Sequence, residues 1–273
     1  MALDADDDVL PAAKTMLLER GARAPMAVVL LHGYTNSPAQ FATFAPAVFD
    51  RGANVLVPRM PEHGDKNRMT ERIAGLTAEA LIQRVGEAID AVSGLGERVG
   101  VLGISMGGVL AAYAAQHRQV DVAVPVAPSF AMLELPYPAS KLVAKVFATL
   151  PNFFVWWDPR ERAHHRPLTA YPRYSTRALA QTMSIGDDVY AAARRQAPCA
   201  GRIVTVVTRS DPAVNNEVTE QIAREWQGWH PKGIEYVELR GLPINHDIVD
   251  PQNPQARTDL VYPRLLQAIG LAG

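Results

Sequence analysis

Arg98-Val-Gly-Val-Leu-Gly-Ile-Ser-Met-Gly-Gly-Val-Leu-Ala-Ala-Tyr113 is the stretch from which the rest of the chain can be read. A mostly apolar run leads into Gly103-Ile104-Ser105-Met106-Gly107, and a small-residue helix pattern follows at once. The pattern predicts a strand, a sharp turn and a helix, with Ser105 at the apex. A serine between two glycines is common by chance, and its bland reading is a turn that only packs tightly. A buried strand before it and a helix after it are what a nucleophile elbow needs. The glycines have a steric reason as well. A side chain at 103 or 107 would strike the neighbouring strand or helix, and the serine itself sits in a strained turn.

Composition fits a catalytic or ligand-binding domain. At 273 residues the chain is long enough for one large α/β domain with an insertion. Hydrophobic residues make up 48% and the formal net charge is −1, which argues against disorder and against a nucleic-acid partner. Lone Cys199 excludes an intrachain disulfide and has no nucleophile context. The acidic start, Met1-Ala-Leu-Asp-Ala-Asp-Asp-Asp8, is unlike a signal peptide, and no apolar run reaches the roughly 18 residues of a membrane span. The expected location is the cytoplasm, without stable membrane anchoring.

Strand and helix patterns alternate. Ala27–Leu31, Ala53–Val57, Val99–Ile104, Val122–Val126, Arg202–Thr208 and Ile234–Arg240 read as strands buried on both faces. Helical patterns cover Pro38–Asp50, Thr77–Val92, Met106–His117, Asn215–Trp226 and Arg257–Ile269. Such alternation predicts a mostly parallel sheet flanked by helices, and Thr15–Glu19 fits one antiparallel edge strand. Residues 130–198 break the rhythm and fill with prolines and aromatics. Residues 131–174 hold eight of the nineteen aromatics. The expected division is a core of 1–129 and 199–273 with 130–198 as a helical cap over the carboxyl edge of the sheet, where ligands bind in open α/β folds. Phe153, Phe154, Trp156 and Trp157 are the candidates to line an acyl pocket there; otherwise they form the cap's own core.

Partners for Ser105 follow from chain order, which in this fold runs Ser, then Asp or Glu, then His. The Arg202–Thr208 strand ends in Arg209-Ser210-Asp211-Pro212, and Ile234–Arg240 ends in Gly241-Leu-Pro-Ile-Asn-His246-Asp247. His230 precedes the last strand and falls at its wrong end, so His246 is the candidate base and Asp211 the candidate acid. Asp187 and Asp188 have no strand before them, while Asp247 and Asp250 read as loop-capping residues. A serine hydroxyl needs a base to take its proton during attack. Imidazole suits that role, and a carboxylate fixes its tautomer. Charge developing on a substrate carbonyl needs donors. The amide of Met106 is one, and the loop after Ala27-Val-Val-Leu-Leu-His-Gly-Tyr34 supplies a second at Tyr34. His32 is read as a structural brace.

His32-Gly33-Tyr34, Gly103-Ile-Ser105-Met-Gly107, Ser210-Asp211-Pro212 and Asn245-His246-Asp247, in this order, resemble the α/β-hydrolase superfamily, in its branch of bacterial carboxylesterases related to monoacylglycerol lipases. The resemblance covers nearly the whole chain outside the insertion. It implies cofactor-free hydrolysis of short- to medium-chain esters or monoacylglycerols, a small-molecule ester as partner, and Ser105, Asp211 and His246 as catalytic residues. One departure is Glu62-His63-Gly64, where relatives often carry Gly-His-Gly.

Other features read as structural. His164-His165 lacks carboxylate or cysteine at ligand spacing, so no metal is expected. Trp226 and Trp229 read as packing residues. A non-catalytic binding protein on the same fold is the rival reading, against which the complete Ser, Asp and His set argues. Thioesterase, amidase and carbon–carbon hydrolase chemistries use the same set, and fold cannot separate them.

Overall fold

Runs of valine, alanine and leucine without polar alternation suit strands covered on both faces. The computed structural model of the chain, which describes residues 2–5, 7–132 and 135–272, places them so except at the sheet edge, where the strand Ile234–Leu239 is fully buried only at Ile234. In chain order the elements are β1 (Met16–Leu18), β2 (Ala24–Leu31), α1 (Phe44–Phe49), β3 (Asn54–Val57), α2 (Ala78–Ser93), β4 (Gly96–Ile104), α3 (Met106–His117) and β5 (Val122–Val126). After β5 come α4 (Tyr137–Thr149), β6 (Phe154–Trp156), β7 (Arg173–Ser175) and α5 (Thr176–Ala193). The chain closes with β8 (Arg202–Thr208), α6 (Asn216–Trp229), β9 (Ile234–Leu239) and α7 (Thr258–Ile269).

Among the described residues, seven strands form one sheet in the order β1-β3-β2-β4-β5-β8-β9. β1 runs antiparallel to β3, and the other pairs are parallel. The order reverses between β2 and β4, and ligands in open α/β sheets bind outside the carboxyl ends at such a switch point. β2 shows the two-sided burial directly. Ala27, Val29 and Leu31 join a core with residues of α2, α3, α5 and α6, while Met26, Val28 and Leu30 join a second core with α1 and α7.

The turn from β4 into α3 depends on missing side chains. A Cβ on Gly107 would lie 1.9 Å from the Leu31 carbonyl oxygen, and one on Gly103 would lie 2.1 Å from the Gly107 carbonyl oxygen. α3 therefore packs its backbone directly onto β2. Ser105 turns the corner at φ 59°, ψ −116°, a sparsely populated region for any non-glycine residue. Its amide donates to the Val126 carbonyl (3.0 Å), and its carbonyl accepts from the Val109 and Ser129 amides.

Two local features differ from the sequence reading. The helix over Pro38–Asp50 is instead a 3₁₀ turn at Pro38–Phe41 followed by α1. Pro46 has no N–H to donate, and its ring opposes the carbonyl four residues back, which disfavours helix continuing N-terminal to α1. The segment between β5 and β8 is not purely helical. β6 and β7 pair antiparallel, with Val155 opposite Tyr174. Five consecutive apolar residues, Phe153 to Trp157, hide the period-two signal of a strand. Pro125 stands in a central strand, and the β5–β8 ladder skips Val124 and Pro125, where proline has no N–H to give.

The elbow packing makes a sharp prediction about two helical glycines. Gly107→Ala should cost more than about 3 kcal/mol or prevent folding, because two backbones must part. Gly86→Ala on α2, whose Cβ would meet only an arginine nitrogen at 4.0 Å, should stabilise by roughly 0.5–1 kcal/mol. Urea midpoints of the two variants decide it, and equal effects would contradict the packing argument.

Candidate active site

The three residues proposed from chain order all sit at carboxyl ends of strands. Ser105 follows β4, Asp211 follows β8 and His246 follows β9. His246 Nδ1 lies 2.8 Å from Asp211 Oδ2. The Asp211 side chain is wholly buried, and its Oδ1 accepts from the amides of Ala213 (2.8 Å) and Val214 (3.4 Å). That carboxylate is acceptor-only when ionised, so Nδ1 carries the proton and Nε2 keeps its lone pair free. Burial favours the neutral ring, but the charge and hydrogen bond of Asp211 together with the charge of Asp247 outweigh it, holding the His246 pKa above the usual 6.5.

Ser105 and His246 line one cavity of about 330 Å³, although no hydrogen bond links their side chains in this structure. Asp187 and Asp188 face elsewhere. Asp187 accepts from the Tyr137 hydroxyl at 2.6 Å, and Asp188 lies 2.7 Å from His117 Nε2.

Gly33 brings the loop after β2 against the elbow, since a Cβ there would stand 3.5 Å from the Ser105 Cβ. Among the described residues, neither the Tyr34 nor the Met106 amide has a hydrogen-bond acceptor. Met106 is the first residue of α3, where amides are left free and the helix dipole adds positive potential. Two buried histidines brace this region. Met60 N donates to His32 Nε2 (3.1 Å), so the other ring nitrogen donates to the Gly33 carbonyl (3.0 Å). Thr35 N donates to His63 Nε2 (3.2 Å), while His63 Nδ1 reaches the Pro61 carbonyl (2.7 Å). Burial holds His32 well below 6.5 and pulls His63 down to about 4, so both stay neutral acceptors. The Glu62-His63-Gly64 loop thus serves as support for the loop at Tyr34.

Gln40 was not singled out by the sequence, and its role emerges only from the fold. Its Oε1 accepts from Gly33 N (2.8 Å), and its Nε2 donates to Asp247 Oδ2 (2.8 Å). Asp247 Oδ1 meanwhile caps the amides of Val249 and Asp250. One buried amide therefore fixes the Tyr34 loop relative to the loop that carries His246. Asp250 caps Gln252 N (2.8 Å), and burial pushes its carboxyl up to about 6.

The segment between β5 and β8 is tied to the same loop. The Tyr34 hydroxyl donates to the Ser175 carbonyl (2.8 Å) and accepts from its amide (3.1 Å). Trp157 Nε1 donates to Thr35 Oγ1 (2.8 Å), and Tyr171 N donates to the Thr35 carbonyl (2.8 Å). Thr35 is β-branched yet stands at φ 61°, held there by these contacts.

Of the four aromatics expected to line the pocket, only Trp157 does so. Phe153 is 56% exposed, Phe154 packs on the core under the Arg173 guanidinium, and Trp156 is half-buried outside the cavity. The apolar wall comes instead from Met132, Leu179, Met183, Val214 and Tyr174. Leu179 and Met183 are one turn apart on α5, an i, i+4 pair whose cavity-facing role has no sequence signature distinct from ordinary packing. His165 also lines the cavity, with Glu161 3.8 Å from its ring, whereas Trp226 is buried with its N–H on Gln116 (2.7 Å).

Fold and elbow together define an α/β-hydrolase. The Alpha/beta hydrolase family matches residues 28–252, and the chain belongs to that family. It is 27% identical over 179 residues to the thermostable monoacylglycerol lipase of Bacillus sp. (strain H-257), covering 64% of this chain and 68% of that protein. Among solved structures it is similar to one reported with LipS and LipT, two metagenome-derived lipolytic enzymes, with a TM-score of 0.72, 21% identity, and coverage of 96% of this chain and 98% of that one. It is also similar to the monoacylglycerol lipase of Paleococcus ferrophilus, with a TM-score of 0.68, 17% identity, and coverage of 93% and 98%.

The charges around His246 predict an order of effects. By NMR titration its imidazole should titrate above 6.5 in the wild type. Asp211→Asn should lower that value most, because burial is then opposed only by Asp247, and Asp247→Asn should lower it less. A larger shift from Asp247→Asn than from Asp211→Asn would contradict the assignment of the dominant partner.

Proposed function

We propose that this chain cleaves carboxylic esters through a covalent acyl intermediate on Ser105, with His246 as general base and acid and Asp211 orienting it. The observation that carries the reading is one constellation: a strained serine and a carboxylate-paired imidazole lining a single cavity with Tyr34, and the free Met106 amide next in the chain after that serine. The monoacylglycerol lipase and lipolytic relatives support ester cleavage as the reaction class.

The steps follow from the geometry. Substrate ordering closes the Ser105–His246 contact, since such hydrogen bonds commonly tighten only in the bound complex. Ser105 Oγ attacks the ester carbonyl while His246 Nε2 takes its proton. The resulting oxyanion meets the Tyr34 and Met106 amides, which are fixed before the charge forms. His246 returns the proton to the departing alcohol, leaving an acyl-serine. Water, deprotonated by the same imidazole, then releases the acid and restores the serine. Each step uses groups of this chain and water.

The apolar wall of Met132, Leu179, Met183 and Val214 supports a short- to medium-chain acyl group. Residues 130–198 serve as the cap that carries most of that wall. A cytoplasmic location belongs to the same proposal. No helix among the described residues is long and apolar enough to cross a membrane.

A panel of p-nitrophenyl esters, run beside a thioester and an amide, tests both reaction and chain length. Each buried methylene contributes about 0.8 kcal/mol, so kcat/KM should rise from acetyl to roughly butyryl–octanoyl and then fall. Ser105→Ala should lose on the order of 10⁶ in turnover, His246→Ala nearly as much, and Asp211→Asn less. Met183→Trp should move the optimum to shorter chains. An unchanged optimum removes Met183 from the acyl wall, and full activity of Ser105→Ala removes the mechanism.

A further inference from the structure

The cavity mouth carries a charge that ester cleavage does not use. Arg166 lines the cavity and is exposed to solvent. Its position is set by another arginine. The Arg68 guanidinium donates to the carbonyls of His165 (2.6 Å), Pro167 (3.3 Å) and Ala170 (2.7 Å), clamping the backbone on both sides of residue 166. The fold thus spends one cation on holding a second one in place. Burial, and then the Arg166 charge, keep Arg68 below the usual arginine value, so the two positive groups feel each other.

No carboxylate among the described residues lies within ion-pair distance of Arg166. The nearby acids are engaged elsewhere. Glu161 faces His165, and the Asp158 carboxylate accepts from the Arg160 amide at 2.7 Å. Asp247, the one carboxylate among the described residues lining the cavity, accepts from Gln40 and Asn36. A guanidinium offers a planar fork of donors that matches a carboxylate or phosphate. We propose that Arg166 is a specificity residue, selecting esters that carry an anionic group at the end of the substrate held in the cavity mouth. The proposal rests on the ester-hydrolase reading and narrows its substrate class.

The readout is the kcat/KM ratio of an anionic ester to its neutral counterpart. Mono-p-nitrophenyl glutarate against p-nitrophenyl butanoate places the charge on the acyl side. 4-Butanoyloxybenzoate against phenyl butanoate places it on the leaving group. Arg166→Gln should lower one of the two ratios about three- to fivefold, as befits a partly exposed pair, and Arg166→Glu should lower it further. The ratio that falls identifies the charged end. The loss should shrink in about 0.5 M salt, where the screening length is only a few ångström. Arg177→Gln, an exposed arginine outside the cavity, controls for net charge and should leave both ratios alone. A change below about twofold in both ratios, or an equal change in Arg177→Gln, overturns the proposal. If the wild type hydrolyses none of these esters, the ester reading fails instead. The dissociation constants of the same pairs, measured by calorimetry on wild type and Arg166→Gln, then decide the anionic preference by the same thresholds.

Discussion

The contact on which everything else rests is backbone against backbone: the first turn of α3 lying on the last residue of β2. With Gly107 that close to Leu31, α3 begins immediately at the carboxyl end of the sheet. The residue before it, Ser105, is then held at φ 59°, ψ −116°. Strain of this kind costs about 1–3 kcal/mol and persists because the surroundings over-determine it. The consequence is chemical. The serine side chain is lifted clear of the sheet, and the Met106 amide behind it is left free at a helix N-terminus, where negative charge is favoured.

A second layer of constraint aligns loops that are far apart in sequence. Gln40 bonds both Gly33 and Asp247, the latter 207 positions further along the chain, and so ties the loop beside the serine to the loop bearing His246. Two neutral buried histidines hold the first loop from below. Tyr34, Trp157 and Tyr171 hold it from the insertion side. Rigid positioning of this sort is what lets fixed amides stabilise a developing charge without reorganising when it forms.

These two layers differ in how far the sequence reveals them. The elbow is local, so Gly103, Ser105 and Gly107 declare it within five residues, and the strands flanking it are long apolar runs with clear ends. The Asp211–His246 pair is non-local, yet each member follows a recognisable strand, and topology brings them to 2.8 Å. The edge strand at Met16–Leu18 was legible for the same reason. Gln40 and Thr35 carried no signal, because a polar residue in a loop takes its meaning from partners up to two hundred residues away. The pocket was misread at Phe153, Phe154 and Trp156 because composition shows that a segment is apolar and not which face it turns inward. Phe153, just before β6, is turned to solvent, Phe154 packs on the core and Trp156 is half-buried outside the cavity, while α5 supplies part of the wall through aliphatic and thioether side chains whose pattern is that of any packed helix.

The proposed chemistry turns on acylation of Ser105. Incubation with a fluorophosphonate, followed by intact mass and peptide mapping, tests it most directly. One adduct per chain is expected on the peptide containing Ser105, absent in Ser105→Ala and formed far more slowly in His246→Ala. An adduct on any other residue, or equal labelling of wild type and Ser105→Ala, would contradict it.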